Sequence, residues 1–267
     1  MKPNDLCELE VLSRRPPGGG DPRPLLFVHG AYAGAWCWDE HFLDFFAEHG
    51  FEAHALSLSG HGGSPDRARL DSYSIADYVD DVARIVATLP APPVLIGHSM
   101  GGFVVQKYLE RADAAAAVLM SSVPPQGLMS SAWGLAWRRP SLMNQFTRLL
   151  GGGQVDGRSL RDALFHQPVS EADLKRYLRA SQPESHRAIW DMSLFDLPHV
   201  HLVARVPMLV IGARHDELIP AGQVQMTARS YGVEAHIMPE LGHGMMLEQG
   251  WREVAELIRT WLAKAET

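Results

Sequence analysis

Short runs of apolar residues constrain this chain most. They are Leu25-Leu26-Phe27-Val28, Val94-Leu95-Ile96, Ala114 to Met120 and Pro207-Met208-Leu209-Val210-Ile211. Each is too short for a buried helix and lacks the alternation of a strand with one wet face, so each reads as a strand covered on both sides. Leu6–Ser13, Phe51–Leu58 and Val233–Met238 are further strand candidates. Between the runs the apolar spacing becomes helical. Trp38, Phe42, Phe45 and Phe46 predict one helix over Trp36–His49, closed by Gly50. Ile75, Tyr78, Val79, Val82, Ile85 and Val86 predict another over Ser74–Leu89, and helices are expected from just after Ser99 to Tyr108, over Gln223–Tyr231 and over Trp251–Ala265. Strands alternating with helices give a mostly parallel sheet with right-handed crossovers. The rhythm breaks from Ser121 to about Ala204, where no comparable strand occurs. The chain therefore divides into a core, 1–122 and 205–267, and a helical insertion, 123–204.

Composition narrows the partners. With 267 residues and a formal net charge of -7, the chain lacks the clustered Lys and Arg that phosphate binding needs, and Arg14-Arg15 and Arg138-Arg139 are too short to alter that. No nucleic-acid partner is expected. The two cysteines, Cys7 and Cys37, match no metal spacing and suggest no disulfide framework. The first residues lack the apolar core of a signal peptide, and no stretch reaches the roughly 18 apolar residues of a membrane span. A cytoplasmic location is the expectation, and a homodimer is left open.

Gly97-His98-Ser99-Met100-Gly101-Gly102 follows an apolar strand and opens a helix. Gly-x-Ser-x-Gly in that setting makes a sharp turn that projects the serine hydroxyl outward, with glycine where a side chain would collide. The helix onset also brings unpaired N–H groups to the same place. A serine hydroxyl needs a base, and His243, between the last strand and the last helix, is the candidate. Thirteen histidines compete, among them His29, His61 and His98, whose positions should also face the site. His199 and His201 have a spacing that could suit a metal but lack further ligands nearby, and no metal is expected. The base needs an acid to hold its tautomer. Asp216, just beyond the strand that ends at Ile211, is the choice over Glu217, Asp191 and Asp196. The amides of Met100 and Ala31 are the expected oxyanion donors.

His29-Gly30-Ala31, Gly34-Ala35-Trp36, Ser59-Gly60-His61-Gly62, Gly97 to Gly102, Asp216 and Gly242-His243 together resemble the α/β-hydrolase superfamily. The first of these loops is similar to the branch of plant methyl-ester esterases and hydroxynitrile lyases. The resemblance implies an α/β-hydrolase fold: a mostly parallel eight-stranded sheet flanked by helices, with a helical cap over 123–204. It implies cofactor-free hydrolysis of a carboxylic ester through an acyl-enzyme; thioesterase, lactonase and perhydrolase activities are alternatives on the same triad. A non-catalytic ligand receptor on the same scaffold is a further alternative. Gly30 and Gly244 stand where the lyases carry threonine and lysine, which argues against lyase chemistry. Trp133, Leu135, Trp137, Leu142, Met143 and Phe146 suggest a small ester substrate with an apolar portion. Tyr32, His98, Trp133 and Phe165 are the expected pocket residues.

Overall fold

The structure is a computed structural model that describes residues 9–18, 20–21, 23–129 and 157–265. The expected Trp133 and the rest of 130–156 lie outside the described residues, as does Cys7. The strands are β1 (Val11–Arg14), β2 (Leu25–Val28), β3 (Ala53–Leu56), β4 (Val94–His98), β5 (Ala116–Met120), β6 (Met208–Ala213) and β7 (Ala235–Met238). They form one sheet in the order β1-β3-β2-β4-β5-β6-β7. β1 pairs antiparallel with β3, and every other pairing is parallel. The described sheet thus has seven strands where the resemblance implied eight.

The helices are α1 (Trp36–Asp39), α2 (Phe42–Glu48), α3 (Ile75–Val86), α4 (Met100–Tyr108), α5 (Gly157–Leu164), α6 (Glu171–Ala180), α7 (His186–Trp190), α8 (Ala221–Ser230) and α9 (Trp251–Lys264). All four β2 residues are buried, and the pleat sends them to two separate cores. Leu26 and Val28 join α3 and α4 on one face, while Leu25 and Phe27 join α1, α2 and α9 on the other. This two-sided burial is why the strand sequence is continuously apolar.

Two sequence expectations need correction. The single helix over Trp36–His49 is two, because His41 leaves the helical region at φ -149°. Its ring stacks on Trp251 at 4.6 Å. Trp38, Phe42 and Phe46 still pack around Phe27, at ring separations of 5.0, 6.1 and 5.6 Å. The apolar spacing reported the buried face correctly but could not report the break. The last strand starts at Ala235 rather than Val233. Gly232, at φ 71°, and Val233, whose N–H donates to Ala228 O, close the end of α8 instead.

Candidate active site

Strand β4 delivers Ser99 into a conformation that side chains rarely adopt, φ 52° and ψ -117°. Such a backbone costs on the order of 1–3 kcal/mol and persists only where its surroundings enforce it. Here the Ser99 N–H donates to Met120 O at 3.0 Å, and Ser99 O accepts from Val123 N and Phe103 N. Helix α4 starts at the next residue and lies directly on the sheet. A β-carbon on Gly97 would come within 2.4 Å of Gly101 O, and one on Gly101 within 2.2 Å of Val28 O. The glycines on either side of Ser99 are therefore required by backbone contact. The first N–H groups of α4, Met100 included, have no partner within the helix, and its positive end faces Ser99.

Beyond β6, Asp216 is buried with both carboxylate oxygens engaged. Oδ1 accepts from Leu218 N at 2.9 Å and Ile219 N at 2.8 Å. Oδ2 lies 2.9 Å from His243 Nδ1. A carboxylate can only accept, so this contact fixes the His243 proton on Nδ1 and leaves Nε2 with a lone pair. Glu217, the sequence rival, is not the residue at Nδ1. His98, beside Ser99, donates from Nε2 to His243 O at 2.9 Å, and its ring lies 4.7 Å from the His243 ring. Burial, and then the neighbouring His243, pushes its pKa well below the usual histidine value. This neutral imidazole ties the His243 loop to the turn that carries Ser99.

The loop after β2 meets the same point. A β-carbon on Gly30 would fall 2.9 Å from His98 Nδ1 and 3.0 Å from the Ser99 β-carbon. His29 lies behind this loop, fully buried. Leu58 N–H donates to its Nε2 at 3.1 Å, so the proton sits on Nδ1 and is donated to Gly30 O at 2.8 Å. That carbonyl belongs to the peptide whose N–H is that of Ala31. Burial first, and then the nearby His61, lowers the His29 pKa to about 3. Tyr32, next in the loop, has φ 65°. Phe165 is buried against the His243 loop: Gly244 N donates to Leu164 O at 2.7 Å, and a β-carbon on Gly244 would meet the Phe165 ring at 2.8 Å.

The loop of His29 does reach Ser99, but the His29 and His61 rings are fully buried with their nitrogens bonded to Gly30, Leu58, Ser59 and Glu184, so neither ring is presented to it. Three buried carboxylates have no counterpart in the sequence pattern: Asp81, which accepts from Ser59 N at 2.8 Å and Ser59 Oγ at 3.0 Å, Glu248 and Glu184. Glu248 accepts from Gly242 N at 2.7 Å and Gln167 N at 2.8 Å, which joins the His243 loop to the segment after α5. Glu184 bonds His61 and Tyr78 from the segment between α6 and α7. Each has partners remote in sequence, and no local motif marks it.

Among the described residues, His166, His215 and Glu240 bring three ligand-type atoms within 4.8 Å. The two imidazoles stack at 3.5 Å with only 6° between their planes. Their in-plane lone pairs therefore do not converge on one ion, and the pair reads as ring stacking. His199 lies 3.6 Å from Glu110, with its ring 6.1 Å from that of His201.

A sequence model described as "Alpha/beta hydrolase family" matches residues 25–257. The chain belongs to the alpha/beta hydrolase family. As a family member it is 28% identical over 242 residues to a non-heme haloperoxidase of Rhodococcus erythropolis, covering 85% of this chain and 87% of that one. It is 34% identical over 108 residues to methyl jasmonate esterase 1 of Vitis vinifera, covering 39% and 40%. An esterase structure from Exiguobacterium antarcticum superposes with a TM-score of 0.73 at 17% identity, covering 97% and 96%, and so shares the fold. No helix among the described residues is long and apolar enough to cross a membrane.

Proposed function

We propose that this alpha/beta hydrolase is a serine esterase in which Ser99, His243 and Asp216 form the triad and the Met100 and Ala31 amides receive the oxyanion. The observation that carries this reading is the Asp216–His243 contact, 2.9 Å long and buried, with the His243 ring 4.7 Å from that of His98, the residue before a serine held at φ 52°. His243 Nε2 takes the Ser99 proton as Oγ attacks the ester carbonyl carbon, whose oxygen becomes the oxyanion. The tetrahedral species collapses, His243 protonates the departing alkoxide, and an acyl-Ser99 remains. Water then attacks that acyl group through the same base, releasing the acid and restoring Ser99. Oxyanion donors fixed before reaction lower the barrier because they need no reorganisation.

The substrate class we propose is a small or medium ester with an apolar portion. Half-buried Tyr32, in the loop that reaches Ser99, and buried Phe165, packed against Gly244 beside His243, support it. The test is turnover of p-nitrophenyl acetate and butyrate, together with mass spectrometry after fluorophosphonate treatment. The expected result is a single adduct on Ser99, and a fall of at least ~10⁴ in kcat for Ser99→Ala. Full turnover by Ser99→Ala would reject the proposal.

A second reading is favoured by the similarity to a haloperoxidase along most of the chain. In it, hydrogen peroxide replaces water as the acceptor of the acyl group, and a peracid leaves instead of the acid. Peracid formation from an ester in the presence of peroxide, measured against hydrolysis, separates the two.

A further inference from the structure

Glu184 is fully buried although it is a carboxylate, and four donors from four places in the chain converge on it. Oε2 accepts from His61 Nε2 at 3.0 Å and, at a longer 3.4 Å, from Tyr32 N. Oε1 accepts from the Tyr78 hydroxyl at 2.7 Å and from Ser185 N at 2.8 Å. His61 Nδ1 faces Ser59 O at 3.1 Å, so both ring nitrogens of His61 donate and the ring is an imidazolium paired with Glu184. Burial alone would lower the His61 pKa; the Glu184 charge and hydrogen bond outweigh it and raise the value.

Two of these contacts lead to the oxyanion loop. The Tyr32 N–H points to Glu184, and Tyr32 O accepts from Gln182 N at 3.0 Å. Both peptide groups flanking Tyr32 are therefore held from residues 182–184. Tyr32 needs such restraint, since a residue with a β-carbon is strained at φ 65°. Relaxation to negative φ would turn the 31–32 and 32–33 peptides and shift Ala31, whose N–H is the proposed oxyanion donor. The other route runs through His61. Its ring lies 5.1 Å from that of His29, which grips the carbonyl of the Ala31 peptide.

We propose that Glu184 is a positioning residue for the oxyanion-binding loop, holding the Ala31 N–H on target through Tyr32 and through the His61–His29 pair. The proposal rests on the serine-esterase reading. A carboxylate is required because four donors need four acceptor lone pairs. Glutamine would place an NH₂ group against two of them whichever way its amide turned.

The test compares wild type, Glu184→Gln and Tyr78→Phe, the last removing a single donor and sparing the charge. Fluorophosphonate labelling to completion counts working sites, p-nitrophenyl acetate gives kcat per site and KM, and a trifluoromethyl ketone reports affinity for a tetrahedral adduct. Glu184→Gln is expected to lower kcat per site roughly 10- to 100-fold with KM within about threefold, and to weaken the ketone in proportion to kcat/KM. Tyr78→Phe is expected to lower kcat per site about two- to fivefold, and it decides the matter if Glu184→Gln does not fold. A purely structural Glu184 would lower the thermal midpoint and the number of sites while leaving kcat per site and ketone affinity unchanged, which overturns the proposal. If wild type neither hydrolyses esters nor labels at Ser99, the esterase reading fails and takes this inference with it. If wild type is active and the folded variants equal it per site, the inference alone fails.

Discussion

Acid should destabilise this protein through the two imidazoles that support the site in neutral form, and His29 allows the effect to be sized. Its pKa is about 3 when folded, against 6.5 for an ordinary histidine. Below pH 6.5 the unfolded chain takes up a proton that the folded chain refuses, so stability falls with pH until about pH 3. One proton is worth about 1.4 kcal/mol per pH unit, so His29 removes about 2 kcal/mol between pH 6.5 and pH 5. His98 adds a contribution of the same sign. His61, with its raised pKa, acts oppositely: its contribution is complete below pH 6.5 and is lost as pH rises through the folded value. Comparison of wild type with His29→Gln isolates the first effect. The variant should be less stable at pH 8, since the bond to Gly30 O is lost, yet should lose about 2 kcal/mol less than wild type on going to pH 5. Urea unfolding followed by tryptophan fluorescence at pH 8, 6.5 and 5 measures both. Equal losses in the two proteins would show that His29 is not held neutral and would refute the reasoning.

Asp216→Asn should lower kcat by ~10⁴ at near-normal KM, because the amide no longer fixes the His243 proton on Nδ1; Glu217→Gln, assayed alongside, should stay within about threefold of wild type, and the reverse ranking would move the acid to Glu217. Gly101→Ala should cost about 3 kcal/mol or more, because its β-carbon would lie 2.2 Å from the Val28 carbonyl and neither backbone can yield. A wild-type urea midpoint for that variant would contradict the close approach of α4 to β2.

The parts of the molecule set by local chemistry were readable in advance. Leu25–Val28 and Val94–Ile96 announce two-sided burial by having no polar residue, and Gly97–Gly102 encodes a turn whose glycines are sterically obligatory. Asp216 and His243 are marked by their order in the chain and by the strands before them, and the fold brings them to 2.9 Å. The break at His41 inside Trp36–His49 is not legible because an amphipathic stripe survives a break when both halves pack on the same strand. Glu184 and Glu248 were invisible for a different reason. Their importance comes from donors 123 and 106 residues away for the first, and 81 for the second. A sequence shows a carboxylate in each case but not the tertiary contacts that make it worth burying. The buried rings of His29 and His61 show the same limit: being in the right loop does not say which side of it a ring occupies.

The seam at Gln182–Ser185 has a consequence for protein engineering. This stretch grips Gly60, Gly62 and Tyr73 as well as Tyr32 and His61, so it is fastened to the scaffold on several sides at once. A chimera that imports a foreign specificity module should therefore splice after Ser181 and keep the native seam. Joints drawn at the edges of the whole insertion would discard these fastenings along with the residues meant to be exchanged, and would confound altered selectivity with damaged chemistry.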